Sequence, residues 1–339
     1  MRSIRLNGQV LTPMDLMTRS LKDLPEWEQE IFRFLKDWWS DAPNIAVKTS
    51  GSTGEPQEIK LPKSLMRASA QKTGTYLDWP VDMSALLAIP VRYIAGKMMI
   101  VRALEFDIHL DYVEPKVSIT TDNEYSFAAL TPQQAANSPD VLDATEQVII
   151  GGGEIAPSLE KKLLQSYATI WHTYGMTETA SHVALRNLGD EYFEALPGVD
   201  FAQDDRGCLV IKADHLREEL VTNDLVELLS PVRFKWLGRV DNVVNTGGVK
   251  VFPEALERKL EAVIDVPFFI GSMNDSELGQ KVILLLEGEG LNVSDVLAKA
   301  QTVLSGPERP RDAFQLKEFE YTGTGKIRRQ ETLVKALVG

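Results

Sequence analysis

The chain has 339 residues, of which 44% are hydrophobic, and it carries a formal net charge of -13 with one cysteine. This length exceeds that of one ordinary domain, so we expect two domains. The acidic charge argues against non-specific nucleic-acid binding, and a single cysteine excludes an internal disulfide framework. No apolar run is long enough to span a membrane and residues 1–8 lack a signal-peptide core, so we expect a cytoplasmic protein.

The predicted elements of the first half alternate between strands and helices. Residues 25–39 are expected to form an amphipathic helix, because apolar side chains recur on one face at helical spacing. Further along, the pattern predicts a strand at 84–90, a helix at 94–104, a strand at 148–150 and a helix at 157–167. Repeated strand-helix units indicate a parallel α/β sheet.

The second half differs in character. Alternating polarity predicts strands at 209–212 and 226–229 within a β-rich tract. A predicted helix at 253–264, strand at 281–286 and helix at 293–304 then form a compact αβ module. We therefore place a domain boundary near 239–241, which gives domains at 1–238 and 239–339.

One glycine- and hydroxyl-rich stretch is suited to binding phosphate. Glycine lets backbone amides approach an anion closely, and serine and threonine add hydroxyl donors. The spacing differs from that of a P-loop, and a flexible polar linker is the alternative. The stretch consists of Thr49, Ser50, Gly51, Ser52, Thr53 and Gly54.

Three downstream segments follow this loop in a fixed order: residues 174–179 (YGMTET), 238–254 (beginning GRVD) and 323–328 (GTGKIR). With these four motifs the chain resembles the acyl-adenylate-forming superfamily over residues 48–329. The resemblance implies an α/β fold with a large N-terminal domain, shorter than that of full-size members, that holds a mostly parallel sheet and a β-rich subdomain. It also implies a small, mobile α+β C-terminal domain.

The resemblance assigns most of the nucleotide site. It implies that Thr49 to Gly54 holds the β- and γ-phosphates of ATP. The adenine-lining turn would be formed by Gly152, Gly153 and Glu154, with the Tyr174 ring stacked on adenine beside Gly175. Thr177 would contact phosphate and Glu178 would hold Mg²⁺, a metal that favours hard oxygen ligands. One departure is Gln57, which replaces the family's lysine.

The resemblance also assigns the residues that follow. Asp224 and Arg239 would contact the ribose hydroxyls, and Asp241 would be the hinge about which the C-terminal domain rotates. Lys326 would bridge the carboxylate and the α-phosphate during adenylation. Gly247 and Gly248 would line the path of the coenzyme A arm.

The acid substrate is the least specific inference. The segments around residues 89–97 and 174–182 are most similar to o-succinylbenzoate-CoA ligases of menaquinone biosynthesis. This similarity implies an acyl pocket that includes Arg92, Tyr93, Lys97, Ser181 and His182, although Arg92 and Lys97 could equally be surface charges. Another acyl-CoA or aryl-CoA ligase and a degenerate adenylate-binding module are the alternatives.

The expected partners are therefore small molecules: a carboxylate, ATP with Mg²⁺, and coenzyme A. Neither nucleic acid nor a membrane is expected. The sequence leaves the oligomeric state open, a homodimer included.

Overall fold

The computed structural model describes residues 3–48, 57–80, 82–322 and 326–338. Within these ranges no helix is long and apolar enough to cross a membrane. Short 3-10 turns lie at Val240–Asn242 and Gly306–Glu308. The α-helices are α1 (Pro13–Thr18), α2 (Glu26–Trp39), α3 (Lys63–Tyr76), α4 (Ile94–Phe106), α5 (Pro132–Asn137), α6 (Pro139–Asp143), α7 (Pro157–Leu163), α8 (Pro253–Leu260), α9 (Val293–Val303) and α10 (Arg329–Val338).

The strands fall into a large sheet, a smaller sheet and a separate hairpin. They are β1 (Ile4–Leu6), β2 (Gln9–Leu11), β3 (Asn44–Lys48), β4 (Glu58–Pro62), β5 (Ser84–Leu87), β6 (His109–Tyr112), β7 (Tyr125–Leu130), β8 (Thr145–Ile150), β9 (Thr169–Gly175), β10 (His182–Asn187), β11 (Phe193–Ala195), β12 (Val199–Gln203), β13 (Cys208–Ala213), β14 (Leu220–Ser230), β15 (Arg233–Arg239), β16 (Val244–Thr246), β17 (Val249–Val251), β18 (Phe268–Asp275), β19 (Gly279–Glu287) and β20 (Asp312–Leu316).

Among the described residues, the large sheet has 13 strands in the order β12-β13-β14-β15-β11-β10-β9-β8-β7-β5-β6-β1-β2. Strands β1, β6, β5, β7, β8 and β9 pair in parallel. From β9 to β12 every pairing is antiparallel. The β-rich tract predicted from the sequence therefore continues the parallel sheet at one edge rather than forming a sheet of its own.

Helices cover both faces of the parallel half. Alternate residues of β7 point to opposite sides, so Phe127 and Ala129 join the core beneath α2, α3 and α4, whereas Ala128 and Leu130 join the core beneath α5, α6 and α7. Such double coverage is what a parallel sheet requires, because its strands are buried on both faces. The mixed α/β class predicted from the sequence is confirmed.

A second sheet of five strands follows the 3-10 turn at Val240–Asn242, in the order β17-β16-β19-β18 with β20 parallel to β19. Its core contains Leu256 and Leu260 of α8 and Ala300 of α9, packed on apolar residues of β18 and β19. We call residues 244–338, which comprise this sheet with α8, α9 and α10, the C-terminal module.

Most predicted elements are confirmed, with shifted ends. Helix α2 begins one residue later than predicted, because Pro25 occupies its N-cap position. Helix α7 ends at Leu163, four residues before the predicted end, where the chain turns into β9. Strand β5 ends at Leu87 rather than at residue 90.

Candidate active site

Two predicted motifs follow neighbouring parallel strands. The turn 151–154 comes directly after β8, and the segment 174–179 covers the end of β9 and the loop beyond it. Because β8 and β9 pair in parallel, both segments lie at the same edge of the sheet, where α/β proteins place their ligands. His172 links them by donating from Nε2 to the Gly153 carbonyl at 3.0 Å.

The loop after β9 is held by Thr179, which is fully buried. Its hydroxyl accepts from the Met176 backbone amide at 3.1 Å and donates to the Ser181 carbonyl at 2.6 Å. Gly175 is required at the start of this loop, since a Cβ there would lie 2.4 Å from the Ser181 carbonyl oxygen. Thr177 and the exposed Glu178 are thereby presented at the end of the sheet.

Asp224 is the centre of the polar network on β14. Its carboxylate accepts a 2.7 Å hydrogen bond from the Tyr174 hydroxyl and a 3.3 Å bond from Trp236 Nε1. Arg239, the register partner of Asp224 on β15, places Nη1 3.7 Å from the same carboxylate and donates from Nη2 to Asp241 at 2.7 Å. Four of the predicted residues therefore meet in one network.

Tyr174 enters this network as a neutral donor. Burial and the neighbouring Asp224 carboxylate raise the pKa of its phenol well above 10. Its ring packs on Phe193 and Phe234, with centroids 5.8 and 5.0 Å away. These contacts fix the ring beside the turn at the end of β9.

Lys326 reaches the same network from the C-terminal module. Although its side chain retains contact with solvent, the surrounding protein lowers the pKa of its ammonium, Arg239 lowers it further, and Asp224 opposes the shift. Its backbone is anchored by a 3.0 Å bond from Lys326 N to Thr322 Oγ1 and a 2.8 Å bond from Thr322 N to the Lys326 carbonyl. The structure thus brings the predicted lysine close to the predicted ribose-binding pair.

A second polar group surrounds Ser181 and His182. Arg102, only 2% exposed, donates from Nη2 to Ser181 Oγ at 2.7 Å. His182 is also buried, with Nε2 3.0 Å from Thr73 Oγ1 and Nδ1 3.3 Å from Ser181 Oγ. Burial and the Arg102 charge lower the pKa of His182 well below 6.5, so its imidazole is neutral.

Arg92 and Tyr93 precede α4 and Lys97 lies in its first turn, and among the described residues none of the three is hydrogen-bonded to Ser181 or His182. The exposed Arg92 guanidinium lies 5.1 Å from the centroid of the Tyr93 ring. Lys97 Nζ donates to the Val91 carbonyl at 2.9 Å, and burial lowers the pKa of this ammonium. The Lys97 ammonium therefore already has a hydrogen-bond acceptor close to it in sequence.

Gly247 and Gly248 form the tight turn between β16 and β17, with φ values of 58° and 81°. Left-handed backbone at two successive positions favours glycine at both. A Cβ on Gly248 would meet nothing within 4 Å, so the backbone there faces open space.

The predicted phosphate loop, Thr49 to Gly54, lies outside the described residues. The strands on either side of it, β3 and β4, pair with Lys48 opposite Glu58.

Comparison with known proteins decides the family. No protein-family model matches the chain. A solved structure, an acyl-CoA synthetase (AMP-forming)/AMP-acid ligase II-like protein from Dyadobacter fermentans, is 32% identical with a TM-score of 0.62 and covers 96% of this chain and 99% of its own. The chain belongs to the acyl-adenylate-forming superfamily. Like these relatives, it is an AMP-forming acid-CoA ligase.

Two further relatives share this class. A protein from Mycobacterium tuberculosis named "Probable 2-succinylbenzoate--CoA ligase" is 28% identical over 332 residues, which span 87% of this chain and 85% of the relative. The o-succinylbenzoate coenzyme A synthetase of Bacillus subtilis, solved with ATP and magnesium ion, is 17% identical with a TM-score of 0.72 and shows the likeness of fold alone. This chain covers 69% of that structure's length.

Sequence reasoning about this ligase missed Arg102. The residue lies in the middle of an apolar helix, where an arginine is most simply interpreted as a surface charge. A signal was present, because both sequence neighbours on each side of it are apolar and the helix has few polar positions. A cation in such a helix is buried unless it lies on the one solvent-facing stripe.

Proposed function

We propose that this acid-CoA ligase acts on 2-succinylbenzoate, an aromatic dicarboxylate, by forming its acyl-adenylate and then its coenzyme A thioester. The names of relatives such as the M. tuberculosis protein support this substrate. The observation that carries the proposal is the Arg102 guanidinium, which is buried beside Ser181 and has no carboxylate partner among the described residues.

A buried cation without a counter-ion is unfavourable by several kcal/mol in proteins, so such residues are paired or serve a ligand. Burial lowers the pKa of Arg102 to about 9, which leaves it protonated at neutral pH. Arg102 Nε also lacks a hydrogen-bond partner within the described part of the chain. The non-reacting carboxylate of a dianionic acid would supply both the missing charge and the missing acceptor.

The nucleotide would be held by the network around Asp224. A carboxylate can accept from two neighbouring hydroxyls, and Tyr174 and Trp236 fix the orientation of this one. We assign the ribose to Asp224 and Arg239 and the adenine to the turn Gly152 to Glu154. The phosphates are assigned to Thr177 and to residues 49–54.

The residues present fit the metal and coenzyme A. Glu178 is exposed and has no ion-pair partner among the described residues, so its hard oxygens are available to Mg²⁺ bound with the phosphates. That metal would neutralise charge on the phosphates. The backbone at Gly248 faces open space, whereas a Cβ on Gly247 would lie 3.3 Å from Leu278 Cδ2, and this glycine turn suits the close approach of the thiol arm of coenzyme A.

In the first step a carboxylate oxygen attacks the α-phosphorus and the bond to pyrophosphate breaks. Lys326 is assigned to the charge that develops there, since its ammonium lies close to the ribose-binding pair. In the second step the sulfur of coenzyme A attacks the acyl carbon, AMP leaves and the thiol proton is released. The C-terminal module would rotate between the two steps about the hinge that we assign to Asp241.

ATP-pyrophosphate exchange over a panel of acids tests the proposal. We expect 2-succinylbenzoate to be preferred over benzoate and 4-phenylbutyrate. Arg102→Met should reduce exchange with the dianion by about 10- to 150-fold, the range for a lost charge-assisted hydrogen bond, and spare the monoanions. Methionine suits this buried position, because an apolar side chain of similar length often replaces a buried charge without loss of stability.

The matched controls are Lys97→Met and Arg92→Met, which remove cations from the first turn of α4 and from the residues just before it. If their loss with the dianion exceeds that of Arg102→Met, the second carboxylate is bound at the start of the helix instead. Equal losses with dianion and monoanions contradict the assignment. ATP binding without exchange for any acid would show a non-catalytic adenylate-binding module.

A further inference from the structure

One contact between the C-terminal module and the large sheet is made by charged residues of α8. Arg258 Nη1 lies 2.8 Å from Glu154 Oε1, in the turn that follows β8. The Arg258 guanidinium also lies 5.8 Å from the centroid of the Trp236 ring. Trp236 in turn donates to Asp224, so one side chain of the module contacts both the turn after β8 and the indole that is bonded to Asp224.

The residues on either side of Arg258 in α8 form their ion pairs within the C-terminal module. Glu257 pairs with Arg329 at 2.6 Å, and Lys259 pairs with Glu308 at 3.0 Å, so both pairs stay inside the module. Among these consecutive residues of α8, Arg258 is the one whose pair reaches outside residues 244–338. Helix α8 thus carries two ion pairs within the module and one that reaches the turn after β8.

Arg258 opposes several acidic side chains around this contact. The surrounding protein raises the pKa of Glu154, Glu257 and Glu254 raise it further, and Arg258 lowers it. Glu261 at the end of α8 is repelled by Glu154 and Glu257 as well. Without Arg258, the docked arrangement would therefore bring several carboxylates together with less compensation.

We propose that the Arg258–Glu154 pair is a latch that holds the C-terminal module in the orientation that places Lys326 beside Asp224 and Arg239. Arg258 acts as a positioning residue, because it contacts Glu154 and Trp236 rather than the reacting atoms. The latch must open before the module can rotate for thioester formation. This consequence for the two half-reactions rests on the proposed function, whereas the docking itself does not.

Docking is measured first by cross-linking, which is independent of activity. The Glu261 carboxylate lies near the backbone of Ser158, so cysteines at these two positions are close when the module is docked. In a Cys208→Ala background, Ser158→Cys with Glu261→Cys should be joined efficiently by a short bis-maleimide. Adding Arg258→Ala should lower the yield several-fold, whereas the control Lys259→Ala should leave it unchanged.

The half-reactions are then measured separately, without the added cysteines. Arg258→Ala should lower adenylation by about 2- to 5-fold, the range for a partly exposed ion pair. Thioester formation from pre-made acyl-adenylate should be unchanged or faster. In the double variant Glu154→Gln with Arg258→Ala, adenylation should fall no further than in the more damaging single variant. The reason is that each substitution alone already removes the same ion pair.

Unchanged cross-linking in Arg258→Ala overturns the latch, whatever the substrate. Equal losses in both half-reactions overturn it too, because a latch for one orientation affects one step selectively. Reduced cross-linking in a protein that activates no acid supports the latch and contradicts the proposed function.

Discussion

Tyr174 and Asp224 are 50 residues apart in sequence and are joined by a 2.7 Å hydrogen bond. Strand β9 carries the tyrosine and β14 carries the aspartate, and β10, β11 and β15 separate these strands in the sheet. The phenol donates to the carboxylate that we assign to the ribose. The tyrosine therefore has a second task beside the adenine contact that the resemblance implies.

Tyr174→Phe tests this task. The variant keeps the ring but removes one donor to Asp224, so the carboxylate is less firmly oriented. We expect ATP binding, measured by calorimetry, to weaken by about 5- to 20-fold. Tyr167→Phe is the matched control, because Tyr167 is 96% exposed. Unchanged affinity in Tyr174→Phe would separate the Tyr174–Asp224 bond from nucleotide binding.

Lys326→Ala tests the assignment of the adenylating cation. We expect adenylation to fall by about 10²- to 10³-fold, by analogy with the loss of a positioned donor to a charged transition state. Thioester formation from pre-made acyl-adenylate should be largely spared, because the rotation that we propose for the module would remove Lys326 from the site. Single-turnover measurements of each half-reaction decide the matter, and equal losses would contradict the assignment.

His172 makes a prediction about stability and pH. It donates from Nε2 to Gly153 and accepts at Nδ1 from Arg186 at 3.4 Å, which requires the neutral ring. Burial, followed by the Arg186 charge, lowers its pKa to about 4. The unfolded chain takes up a proton near pH 6.5 and the folded protein does not, so this stabilisation is present above 6.5 and is lost as the pH falls towards 4.

The expected loss from His172 between pH 7 and pH 5 is about 2 kcal/mol of unfolding free energy. His172→Gln should remove this part of the pH dependence, because glutamine does not titrate. Urea denaturation at several pH values measures it, and His109→Gln, at an exposed histidine of β6, is the control. Parallel pH profiles for wild type and His172→Gln would disprove the assignment.

Gly175→Ala tests the packing of the loop after β9. The added methyl group would lie 2.4 Å from two backbone atoms, the Ser181 carbonyl oxygen and His182 Cα. Backbone cannot move aside as a flexible side chain can, so we expect a loss of about 1–3 kcal/mol of unfolding free energy. Gly153→Ala is the control, since its methyl group would meet Pro132 at an ordinary 3.6 Å. Equal stability of the two variants would contradict this account.

The sequence by itself determined the motifs, the α/β class and the approximate positions of most elements. Hydrophobic periodicity is a local property, so α2 and α4 could be predicted from residues close together in the chain. The order of the four motifs similarly indicated the superfamily. Element ends were less certain, as the early end of α7 shows, because turns depend on the strand that follows.

Only the tertiary structure decided which distant side chains meet. Arg102 and Ser181 are 79 residues apart, and Glu154 and Arg258 are 104 apart. No local pattern encodes such pairs, because they depend on strand order in the sheet and on how the C-terminal module docks. For the same reason only the fold shows that Arg102 is buried, with no carboxylate partner among the described residues, since the exposure of a side chain is set by its neighbours in space.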